Sequence, residues 1–165
     1  MRGEVSSVNP VSDSPQALYL EDLHVGQHFN SGQYHMEAER MKAFAAEFDP
    51  QPFHVDEAAA EHTILRGLAA SGWHTAAATM RLLMTGGLPI AGGLIGLSAE
   101  MAWPQPTRPG DTLRVESEIL EIVPSRSKPD RAVVTVRCIT LNQKGEKVQV
   151  MTTKIMVFRR PSPTP

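Results

Sequence analysis

One cysteine in 165 residues leaves Cys138 without a partner in its own chain, so no internal disulfide framework can form. A reducing, cytoplasmic setting fits that usage. Positive charge is not in excess: 16 Lys and Arg stand against 18 Asp and Glu, a net charge of −2. No basic face for nucleic acid or for an anionic membrane surface is expected. Nowhere do about eighteen apolar residues run uninterrupted, and Met1 to Gln16 carry Ser, Pro and Asn where a signal peptide has its apolar centre. Neither a membrane span nor export is expected. The six histidines include no His-Glu-x-x-His or Cys-His spacing, which argues against a metal site. The glycines from Gly86 to Gly96 match neither a phosphate loop nor a dinucleotide fingerprint, and Ser71 is in no Gly-x-Ser-x-Gly elbow.

What remains is an ordinary globular composition, 41% hydrophobic and 21% charged, in a chain of single-domain length. Residues 1–17 read as a flexible tail, 18–160 as one domain and 161–165 as a disordered end. His28 to Tyr34 reads as a first strand. Apolar residues at Met41, Phe44, Ala45 and Phe48 give the three-and-four spacing of a helix from Glu37 to Phe48. Asp56 is placed to cap a short helix running to His62.

Between these two helices lies Asp49-Pro50-Gln51-Pro52-Phe53-His54. Each proline lacks an N–H and disfavours helical geometry in the residue before it, so Asp49 and His54 are expected on a stiff loop. A carboxylate and an imidazole five residues apart on such a connector can converge on one water for acid/base work. The alternative is that Asp49 ends the helix or forms a turn and that His54 is a satisfied surface histidine.

The apolar stretch from Ala69 to Thr85 has hardly a charge before Arg81 and predicts a core helix buried nearly all round. His74, within it, reads either as part of a ligand pocket or as a hydrogen-bonded core histidine. Leu94 to Trp103 reads as a strand. Alternation through Val115, Ser117, Ile119 and Glu121, then Val133 to Leu141 and Val148 to Phe158, completes an antiparallel sheet with turns at Ser125 to Arg131 and at Asn142 to Gly145. One buried helix with long antiparallel strands defines an α+β domain whose sheet wraps the helix. Arg108, Arg126 and Lys128 are candidates for phosphate contact, or are plain solvated charge.

The Asp49 to His54 segment resembles the signature of the MaoC-like dehydratases, which include the R-specific enoyl-CoA hydratases: Asp, any residue, Asn, Pro, an aliphatic residue, His. The helix before it, Ala69-Ala70-Ser71-Gly72, Arg108-Pro109-Gly110-Asp111 and the Asn142 to Gly145 turn occur in the order of that family. The resemblance implies a hot-dog fold, assembly as a homodimer or a higher oligomer, and an acyl-CoA substrate with no cofactor beyond the coenzyme A thioester itself. It implies reversible addition of water to a trans-2-enoyl thioester, with Asp49 and His54 as catalytic residues and the Gly72 N–H on the thioester carbonyl. Close packing of the helix entry is the other reading of Gly72. Gln51, Phe53, Ser71 and His74 complete the candidate substrate-binding set. Gln51 replaces the family's Asn, Phe53 an aliphatic residue, Phe48 a Gly, and Ser71 a frequent His. A hot-dog acyl-CoA thioesterase and a non-catalytic acyl-CoA-binding subunit are the alternative functions.

Overall fold

A computed structural model of the chain describes residues 16–162. The expected tails at 1–17 and 161–165 therefore fall largely outside the described residues.

Two short strands, β1 (His28–Asn30) and β2 (Tyr34–His35), replace the single strand expected there. Both pair antiparallel with one long strand, β4 (Thr112–Pro124), and the chain leaves the sheet between them. Helix α1 (Ala38–Phe48) buries Met41 and Ala45 completely, one turn apart. It ends at Asp49, whose N–H still donates to the Ala45 carbonyl at 2.8 Å while its backbone has turned out of the helix at φ −154° and ψ 67°. Pro50 accounts for the exit, since the residue before a proline avoids helical geometry.

The stiff loop expected from Asp49 to His54 is only partly a loop. Pro52–Val55 form a one-turn helix, α2, with Pro52 in the first turn, where a missing N–H costs nothing. A third short helix, α3 (Glu57–Glu61), is capped by Asp56, whose carboxylate accepts the Ala59 N–H at 3.0 Å.

The central helix, α4, spans Gly72–Leu82 and is shorter than the Ala69 to Thr85 stretch that predicted it. Ser71 sets its start by accepting the Trp73 N–H at 3.2 Å. A wider, π-type turn over Leu83–Gly87 closes it, with Gly86 at φ +121°, a conformation open to glycine. Nor is α4 buried all round. His74, Thr75, Ala78, Thr79 and Leu82 face the core, while Trp73 and Met80 are 61% and 44% exposed.

The sheet order is β1-β4-β5-β6-β3, all antiparallel, with β3 (Ile95–Ala102), β5 (Arg131–Leu141) and β6 (Lys147–Phe158). The β5–β6 turn closes as expected: Asn142 accepts the Gly145 N–H on its carbonyl and the Lys144 and Glu146 N–H groups on its side chain. One alternation fails. A bulge between Ile119 and Glu121 shifts the phase of β4, so Ile122 packs on the core and Glu121 turns to solvent. The inward faces of β4, β5 and β6 supply Val115, Ile119, Val134, Val136, Val148 and Val157, all at most 1% exposed, and α4 packs across β4 and β6. A long helix against a sheet wrapped along it is the hot-dog architecture expected from the sequence.

Candidate active site

Asp49 and His54 come together at the junction of α1, α2 and the start of α4. His54 Nε2 lies 3.4 Å from Asp49 Oδ2, and the two side chains are 8% and 17% exposed. His54 Nδ1 is 2.7 Å from the Ala69 carbonyl, which can only accept; Nδ1 therefore carries a proton, and Nε2 is the ring atom that faces Asp49. A water lying beside the pair is within reach of both groups.

Asp49 is held on both oxygens. Gln51 Nε2 donates to Oδ1 at 2.7 Å and Ser71 Oγ to Oδ2 at 2.7 Å. Burial opposes ionisation of the carboxyl, but these two hydrogen bonds and the neighbouring His54 outweigh it and hold its pKa below the ordinary value. Phe53 packs its ring edge-on against His54 at 4.5 Å, and its carbonyl accepts the Ala69 N–H.

Gly72 occupies the first position of α4. No acceptor among the described residues takes its N–H, which lies at the positive end of the helix. The close-packing reading of this glycine has a direct geometric basis. A Cβ on residue 72 would fall 2.7 Å from the Trp103 indole, so close packing requires glycine here whatever else the N–H does. Gly72, His54, Trp103, Thr75 and Val148 border one cavity of about 300 Å³, roofed by the Pro104–Thr107 turn. Ser71 is fully buried and turned to Asp49, and Gln51 reaches the same carboxylate. His74 is elsewhere: its ring stacks on Phe44 at 4.7 Å between α1 and α4, and its Nδ1 has no hydrogen-bond partner among the described residues.

Arg108 is spoken for. Its guanidinium donates to the carbonyls of Leu65, Gly67 and Leu68, which leaves it a fastener for the loop before α4 and not a free phosphate ligand. Sequence reasoning missed Trp103. Its Nε1 donates to the buried Gln149 at 2.9 Å, and Gln149 donates on to Thr79 of α4, which hydrogen-bonds Thr140. That chain fixes the indole over Gly72. The one local signal was a tryptophan directly before a Pro-x-Pro turn at the end of a strand. Among the described residues no cluster of His, Cys, Asp and Glu could hold a metal ion, and no helix is long and apolar enough to cross a membrane.

Residues 22–154 match the model of the MaoC-like domain, and the chain belongs to that family. It is 32% identical over 132 residues to the uncharacterized protein YdeM of Bacillus subtilis, a match spanning 79% of this chain and 92% of that one. Among solved structures, a MaoC-like dehydratase from Rhodospirillum rubrum is 62% identical, with a TM-score of 0.88 over 88% of this chain and all of that one. The R-hydratase PhaJ1 from Pseudomonas aeruginosa is 27% identical, with a TM-score of 0.69 over 90% of this chain and 94% of that one.

Proposed function

We propose that this protein is a lyase that adds water reversibly to a trans-2-enoyl-CoA thioester. The observation that carries the reading is the pairing of His54 Nε2 with Asp49 Oδ2 at 3.4 Å, beside a cavity that Gly72 also borders. A water held by the pair loses one proton to it as its oxygen bonds the β-carbon. The double-bond electrons move to the thioester oxygen, where the Gly72 N–H meets the developing negative charge. The pair then returns a proton to the α-carbon, and one water has been added in total. Acid/base help of this kind is worth roughly 10²–10⁴-fold in rate. One backbone donor to the oxyanion is worth roughly 10²–10³-fold.

The same reading includes a homodimer. The sheet ends at β3, whose outer edge pairs with nothing among the described residues. Beside that edge Met80 and Met84 of the α4 region are 44% and 53% exposed, with Leu97 of β3 at 49%. Apolar groups of this size, contiguous around a cavity of about 330 Å³ that Met80, Leu94 and Leu97 border, suit burial by a second copy.

The test is loss of the conjugated-thioester absorbance of short, medium and branched trans-2-enoyl-CoAs, followed together with a thiol reagent. Loss of the band without free thiol, abolished by Asp49→Ala and by His54→Ala, supports the hydratase. Released thiol replaces it with the thioesterase. Saturable binding without turnover of any acyl-CoA replaces it with a binding subunit.

A further inference from the structure

The structure assigns Gln51 and Ser71 to the carboxylate of Asp49 as a two-sided clamp, making them positioning residues and not contacts to the acyl group. This deepens the hydratase reading and rests on it for its kinetic consequences, although the clamp itself is independent of any substrate.

The two donors come from opposite sides. Gln51 lies two residues beyond Asp49, across Pro50, and its backbone N–H also donates to the Asp49 carbonyl at 2.7 Å, so its amide is carried back over the carboxylate. From there Nε2 reaches Oδ1 at 2.7 Å. An Asn at this position would be one methylene shorter. Ser71 lies twenty-two residues away in sequence and is wholly buried. Its hydroxyl accepts the Trp73 N–H at 3.2 Å while donating to Oδ2 at 2.7 Å. The helix N-terminus thus polarises the hydroxyl, which passes the effect on to the carboxylate, and hydrogen bonds in series strengthen one another.

A carboxylate has two oxygens, and here each accepts from a neutral donor at the short distance typical of a charged acceptor. Such a group is fixed in one rotation and favoured in its ionised form. The remaining approach to Oδ2 is the one shared with His54, the only ionisable side chain among the described residues that acts on Asp49. A water taken up beside the pair would therefore meet a carboxylate that neither turns nor takes up a proton readily. Ser71 and Gln51 act through Asp49; they need not touch the substrate to govern the reaction.

The experiment is a titration of protein labelled with ¹³C at the aspartate carboxyl carbons, with the Asp49 signal assigned by its absence in Asp49→Asn. Wild type, Gln51→Ala, Ser71→Ala and Ser71→Thr are compared. Both alanine variants are expected to titrate Asp49 at a higher pH than wild type, and Ser71→Thr, which keeps the hydroxyl, to stay near wild type. An Asp49 titration unchanged in both alanine variants overturns the clamp. Gln51 is exposed, so its variant decides the matter even where loss of the helix cap unfolds Ser71→Ala. With an enoyl-CoA substrate, kcat at neutral pH should fall roughly tenfold in each alanine variant, the effect of one charge-assisted hydrogen bond, and the acid limb of its pH profile should move up. A rise in KM alone, with the acid limb in place, overturns the assignment in favour of substrate contact. Where wild type turns over no enoyl thioester, the hydratase reading fails while the carboxyl titration still decides the clamp.

Discussion

The Trp103 indole lies against the backbone of Gly72, close enough that an added Cβ would sit 2.7 to 3.0 Å from three of its ring atoms. The indole cannot swing aside without breaking its hydrogen bond to Gln149, a residue with no solvent exposure. Gly72→Ala is therefore expected to destabilise the protein by about 1–3 kcal/mol, as overpacking does, and to lower hydratase activity by displacing the start of α4. Urea denaturation at constant slope measures the first effect, and enoyl-CoA turnover the second. Pairing Gly72→Ala with Trp103→Phe should recover part of the lost stability, because the smaller ring leaves room.

Asp49→Asn preserves shape and removes charge. Turnover should fall by at least about 10²-fold, the lower end of acid/base contributions, while the thermal midpoint changes by no more than a few degrees. A variant with wild-type kcat would exclude Asp49 from the chemistry. The wild-type stability carries the matching pH signature. The pKa of Asp49 is depressed in the folded state, so its stabilising contribution is complete above the ordinary carboxyl value of 3.8 and is lost as pH falls through the lower folded value. Asp49→Asn should flatten that acid-side slope.

His74 has the opposite charge type and the same direction of shift. Burial first, and the charge of Arg40 second, push its pKa below the ordinary 6.5. The neutral ring stacked on Phe44 is the folded form, and its contribution is complete above pH 6.5. As pH drops below that value the unfolded chain takes up the proton first, so stability declines. Thermal midpoints between pH 5 and pH 8 should show this decline in wild type and a shallower one in His74→Leu.

Met80→Asp places a charge in the exposed apolar patch beside β3 without entering the core. Light scattering should report a dimer for wild type and a monomer for the variant, with its circular dichroism unchanged. A wild type that is monomeric at all concentrations removes the dimer.

Much of this was legible in the residues because it depends on short-range physics. Asp49 ends α1 because Pro50 follows it, and Asp56 caps α3 through a bond to a residue three positions on. The Asn142 to Gly145 turn is equally local. Even so, a proline read only as a helix breaker hid α2, since Pro52 is tolerated in a first turn. What stayed hidden depends on distance in sequence. Nothing near Ser71 announces a hydrogen bond to Asp49, and nothing near Gly72 announces an indole thirty-one residues on. The bulge in β4 was illegible for a different reason: one extra residue in a strand leaves the composition unchanged while reversing which side chains face the core. The α4 stripe misled because apolarity alone does not fix which face of a helix the rest of the chain covers.

The carbonyl that fixes the His54 tautomer belongs to the main chain at Ala69. Side-chain replacement at that position cannot delete it; only a change in backbone course can. Replacements of residue 69, which is buried and donates its N–H to the Phe53 carbonyl, should therefore act through side-chain size and polarity and, for proline, through the lost N–H, while the proton on His54 Nδ1 persists in every variant that folds. The orientation of the imidazole is in this sense inherited from the path of the loop, and drift among side chains leaves it untouched.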